Sequence, residues 1–119
     1  MKKILLVEDD EVERELVRLT LERAGYLVVA AEDGERGFDL AVAERPDLIV
    51  TDFWMPEVDG ARFVRRVRET PPLASTPILV VTGFGGGGAA LTLSGGADAY
   101  EPKPLDPDAL LQTVARLLA

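Results

Sequence analysis

The chain of 119 residues has no cysteine and no histidine. The first absence excludes disulfides and thiolate metal sites. The second removes the commonest general base, the usual transition-metal ligand and any phosphohistidine on this chain. A metal bound here would be a hard one held by oxygen. Positive charge is also scarce: 13 Lys and Arg face 21 Asp and Glu, for a net charge of −8. Direct nucleic-acid binding is not expected, because neutralising phosphates needs cationic side chains in excess. An acidic chain suits basic partners, or a cluster of carboxylates around a cation. No apolar stretch approaches the roughly 18 residues of a spanning helix. The start, MKKILLVEDD, resembles a signal peptide only until its acids begin. The expectation is a cytoplasmic protein with no membrane association.

What is present is a globular mix, 47% hydrophobic and 29% charged. The length suits one domain, residues 1–119, with a single core. Short apolar runs alternate with helical periodicities. Strands are expected at 3–7, 26–31, 47–52 and 77–82, with a weaker one at 97–102. Helices are expected at 10–25, 34–45 and 60–70, stopped by Gly25, Pro46 and the pair Pro71–Pro72, and at 106–118 with Asp106 as N-cap and Pro107 at the first helical position. In the first helix Val12, Leu16 and Leu19 share one face, with Val17, Leu21 and Ala24 beside it. The alternation means parallel βα units with helices on both faces of the sheet. Strands 1, 3 and 4 read as continuous apolar runs and are therefore central. The stretch GFGGGGAALTLSGG, at 83–96, interrupts the pattern where a fourth helix belongs.

Ligands of open α/β sheets bind beyond the carboxyl ends of the strands. There the sequence places Glu8, Asp9 and Asp10 after strand 1, Asp52 at the end of strand 3, Thr82 at the end of strand 4 and Lys103 after strand 5. Each has a plain structural reading: an acid at a helix start caps it, which fits Asp10 well, and a lysine before proline is usually solvated. Asp52 resists that reading, since an ionised carboxylate ending a buried strand needs a partner. Together they put several carboxylates, a hydroxyl and an ammonium on one rim. Acids so close repel unless a cation lies between them, and oxygen ligands suit Mg²⁺ or Mn²⁺. A carboxylate beside such a cation can attack phosphorus and form an aspartyl-phosphate.

These residues resemble the response-regulator receiver domains of two-component signalling. The signatures are ILLVEDDE, PDLIVTDFWMPEVDG, PILVVTG and GADAYEPKP, in order along the whole chain. The resemblance implies a flavodoxin-like, doubly wound sheet of five parallel strands in the order 2-1-3-4-5. It implies Asp52 as phosphoacceptor, Glu8 and Asp9 as the acid pair around Mg²⁺, and the backbone carbonyl of Trp54 as a further ligand. Asp10, just past the pair, is a further candidate ligand. Thr82 resembles the switch hydroxyl, Tyr100 the aromatic switch, and Lys103 the phosphate-binding lysine, before a proline that is cis in the family. Met55, Pro56, Asp59 and Gly60 resemble the turn that shapes the acceptor loop.

The implied function is phosphoryl transfer from a sensor histidine kinase or phosphotransfer protein to Asp52. Phosphorylation then switches the face made by the fourth helix, the fifth strand and the final helix toward a downstream target, an output domain or a second phosphorylated copy. Such a domain is a switch that assists its own phosphorylation and dephosphorylation, not an enzyme. A haloacid-dehalogenase-type phosphatase is the enzymatic alternative. That family has a second aspartate two residues after its nucleophile, where this chain has Trp54, and the chain lacks room for a substrate cap. A receiver acting only as an interaction module is the other alternative; losing an acid, the acceptor or the lysine would favour it, and none is lost. Both a stand-alone regulator and a fragment of a longer one fit this sequence. The departures from the family are two. Four successive glycines, Gly85 to Gly88, disfavour helix by roughly 2–4 kcal/mol, so the fourth helix is expected to be short, at about 89–94, or disordered. Either a merely floppy loop or a mobile output face, with Leu91 and Leu93 suited to a partner, would follow. Bulky Trp54 and Phe84 flank the acceptor and are expected to hinder the attacking water and lengthen the phosphorylated state, while Gly83 in place of a common alanine widens access.

Overall fold

The computed structural model describes residues 1–52, 60–83 and 95–119. The strands are β1 (Lys3–Val7), β2 (Leu27–Ala31), β3 (Leu48–Asp52), β4 (Ile78–Thr82) and β5 (Ala99–Pro102). The helices among the described residues are α1 (Glu11–Arg23), α2 (Gly34–Glu44), α3 (Gly60–Glu69) and α4 (Pro107–Leu118). All strand pairs are parallel and their order is β2-β1-β3-β4-β5. The two apolar runs with no polar alternation until their ends, β3 and β4, are buried at every residue, as expected of strands covered on both faces.

Each sheet face has its own core. Leu5, Val7, Ile49, Ile78 and Val80 point toward α2 and α3, around the fully buried Phe63. Ile4, Leu6, Leu48, Val50, Leu79 and Val81 point the other way, onto Val17 and Leu21 of α1 and Leu110 and Val114 of α4. Helix α2 lies close to β1 because residue 37 is glycine: a Cβ there would stand 2.7 Å from Val7 Cγ2.

Local chemistry sets the helix ends. Asp10, Asp33 and Asp106 each accept a backbone N–H of the first turn they cap. Gly25, at φ +99°, follows α1 in a conformation that side chains with a Cβ resist. Pro71 and Pro72 end α3 as expected, and also start a short 3₁₀ turn, Pro71–Leu73, that buries Leu73. The sequence left open which apolar stripe of α1 packs inward. Val17 and Leu21 do, whereas Val12, Leu16 and Leu19 are 71%, 62% and 36% exposed. Trp54, Phe84 and the region expected to hold a fourth helix lie outside the described residues, as do Met55, Pro56, Asp59, Leu91 and Leu93.

Candidate functional site

Strand order reverses between β1 and β3: β1 leads to β2 on one side and to β3 on the other. At such a switch point the connecting loops diverge and leave a crevice above the carboxyl ends. Register then decides what faces the crevice. Val7 pairs with Thr51, so Glu8 and Asp52 stand side by side one step further on. Asp52 pairs with Val81, and Thr82 with Pro102, which brings Thr82 and Lys103 onto the same rim. The Lys103 N–H donates to the Thr82 carbonyl at 2.9 Å, and the Lys103–Pro104 peptide is cis. Tyr100 pairs with Val80 in register, so it shares a sheet face with Thr82 and is half-buried there.

The Lys103 ammonium gathers the acids. It donates to Asp52 Oδ2 at 3.2 Å, to Glu8 Oε1 at 3.3 Å and to Glu13 Oε2 at 3.0 Å. Glu8 and Asp52 are only 4% and 7% exposed. The Lys103 ammonium therefore serves three carboxylates, two of them buried. The effect on Glu8 is direct: burial above all, with the Asp52 charge and a hydrogen bond with Asp9 adding to it, pushes its carboxyl up to about 8. The Asp10 N–H and Lys103 pull the other way and do not offset this. For Lys103, burial works against the ammonium, but the hydrogen bond to Glu13 and the charges of Asp52, Glu8 and Glu13 win and hold it above the usual lysine range.

Glu8, Asp9 and Asp52 can each offer one oxygen, and these oxygens lie within 4.8 Å of one another. Three carboxylates converging on one point, with no nitrogen or sulfur donor, fit a hard divalent cation such as Mg²⁺ or Mn²⁺. Asp10 is not in this group. Its Oδ1 caps α1 through the Glu13 N–H at 2.9 Å, the ordinary work of an acid at a helix start. The Trp54 carbonyl lies outside the described residues.

Glu13 was not anticipated. It sits one helical turn into α1, away from any strand end. The signal that could have flagged it is its place three residues after the Asp10 cap, over the same rim. Arg14 adds a strut from the same turn, its Nη1 donating to the Glu8 carbonyl at 2.9 Å.

A model of the response regulator receiver domain matches residues 4–115. The chain belongs to that family. Among its relatives, a DNA-binding dual master transcriptional regulator RpaA of Synechocystis is 40% identical across 99% of this chain and 49% of its own. The polar-differentiation response regulator DivK of Brucella anthropi is 32% identical across 98% of this chain and 96% of its own. The chain thus spans about half the length of RpaA and nearly all of DivK. Among solved structures, the Vibrio cholerae chemotaxis protein CheY4 superposes with a TM-score of 0.93 at 36% identity, covering 99% of both chains. A putative response regulator from Chloroflexus aurantiacus gives 0.95 at 32% identity over 98% of this chain and 97% of that one. The receiver fold and the strand order expected from the sequence are the ones found. No helix among the described residues of this receiver domain is long and apolar enough to cross a membrane.

Proposed function

We propose that this receiver domain, across residues 1–119, accepts a phosphoryl group on Asp52 and serves as a cytoplasmic switch rather than as an enzyme for a free substrate. The observation that carries the reading is the Asp52 carboxylate itself. It is buried at the end of a rigid central strand, 3.2 Å from the Lys103 ammonium and converging with Glu8 and Asp9. Burying a carboxylate is costly unless it is paired, and here an ammonium and the other acids of the rim stand around it.

In the proposed reaction an Asp52 oxygen attacks the phosphorus of a phosphohistidine on a partner kinase or phosphotransfer protein. The P–N bond breaks and the imidazole leaves with the electron pair. The strand fixes the nucleophile in place, so little orientational freedom is left to lose. Glu8 and Asp9, with Asp52, would hold Mg²⁺ or Mn²⁺, and the Trp54 carbonyl is proposed as a further ligand. The bound cation supplies charge neutralisation for the phosphoryl oxygens. Lys103 supplies the positive charge from the protein side. Thr82 donates a hydrogen bond to a phosphoryl oxygen, and Tyr100, on the same sheet face, adjusts with it. That shift biases the two-state surface around β5 and α4, where a downstream target, an output domain or a second phosphorylated copy is read.

The test is incubation with a small phosphodonor, with and without Mg²⁺, followed by intact mass. One added phosphoryl group that requires Mg²⁺ and disappears in Asp52→Ala supports the proposal. A phosphoryl group retained in Asp52→Ala refutes it.

A further inference from the structure

Asp10 and Glu13 stand at the N-cap and third helical positions of α1. An acid there ordinarily completes a reciprocal capping box, its carboxylate accepting the N–H of the cap residue. Only half of that box is made. Asp10 Oδ1 accepts the Glu13 N–H, but the Asp10 N–H donates to Glu8 Oε2 at 3.1 Å. The Glu13 carboxylate is turned to Lys103 instead, and that contact, at 3.0 Å, is shorter than those of Lys103 with Asp52 and Glu8.

Glu13 differs from the other two acids around Lys103. Its side chain is 28% exposed, against 8% for Asp52 and 5% for Glu8. It can leave the ammonium for water without stranding a buried group. Asp52 and Glu8, both buried, have no such access to water. When a phosphoryl group arrives on Asp52, it brings further negative charge to the same ammonium, and one carboxylate has to yield. The exposed one gives way at least cost.

We propose that Glu13 is a displaceable competitor for Lys103, a positioning residue that sets how tightly the site holds a phosphoryl group. The proposal rests on the reading of Asp52 as phosphoacceptor. In the unphosphorylated domain Glu13 holds the Lys103 ammonium in place. Once the group is bound, Glu13 releases Lys103 and its residual repulsion weakens the adduct.

Beryllofluoride, a phosphoryl mimic, tests this by fluorine NMR titration in the presence of Mg²⁺. Glu13→Gln keeps the shape and removes the charge, so it should bind the mimic about tenfold more tightly, the scale of one unit charge at close range in a partly solvated site. Glu13→Asp keeps the charge and should stay near the parent, and Glu11→Gln, on the exposed start of α1, should match it. The gap between parent and Glu13→Gln should narrow as ionic strength rises, a response that a purely structural role would not give. Equal or weaker binding by Glu13→Gln overturns the proposal while leaving the acceptor reading intact. If the parent forms no Mg²⁺-dependent adduct at all, the acceptor reading falls, and this inference with it.

Discussion

Replacing Glu8 by glutamine should change how stability depends on pH in the metal-free protein. The Glu8 carboxyl moves from its ordinary 4.5 to about 8 on folding, chiefly because it is buried, with Asp52 beside it. Folding therefore takes up a proton between those two values. The stability this supplies is fully present below about pH 4.5 and is lost as pH rises through about 8. The steepest decline this one group can cause is about 1.4 kcal/mol per pH unit. The whole gap corresponds to at most about 5 kcal/mol. Glutamine keeps the volume, and its amide oxygen can still accept the Asp10 N–H. Urea unfolding in a chelator, from about pH 5 to about pH 8.5, should give the parent a falling curve relative to Glu8→Gln. The variant should be the more stable protein at the alkaline end. Parallel curves would refute the claim that the site forces a proton onto Glu8. Adding Mg²⁺ at the alkaline end should stabilise the parent more than the variant, because a cation replaces the missing proton.

Three further outcomes are expected. Lys103→Met removes the ammonium that Asp52, Glu8 and Glu13 share, and should slow phosphorylation from a small phosphodonor by at least about tenfold, measured by intact mass against time. Arg68→Ala should cost about 2–4 kcal/mol in urea unfolding. Its guanidinium ties the Gly96, Ala74 and Thr76 carbonyls and the Asp98 carboxylate together, so Arg68→Lys should recover only a minor part. Gly37→Ala should destabilise by about 1–3 kcal/mol, although alanine favours helix, because the new methyl meets Val7; a stabilised variant would show that α2 is free to move off the sheet.

Much of this was legible in the sequence, for identifiable reasons. Apolar runs such as DLIV and ILVV carry no face alternation, so they could only be central strands. Once the sheet is parallel and doubly wound, its carboxyl rim is fixed, and Glu8, Asp52, Thr82 and Lys103 fall on it without further assumption. The packing face of α1 was not legible, because Val12, Leu16 and Leu19 form as good an apolar stripe as Val17 and Leu21. Only the docking of α1 on the sheet chooses between them. Glu13 was missed because its role comes from a half-made capping box, and a sequence shows the cap but not which N–H Glu8 has taken. Asp10 carries the converse lesson: a third acid beside a candidate metal site is occupied by its own helix.

The central claim is that Asp52, and no neighbouring acid, carries the phosphoryl group. Borohydride reduces an aspartyl-phosphate to homoserine, which peptide mass mapping can place. The phosphorylated chain should yield homoserine at position 52 alone, and only when Mg²⁺ was present during phosphorylation. A reduced residue at position 9 or 8, or none anywhere in a chain that has taken up phosphate, would contradict the account.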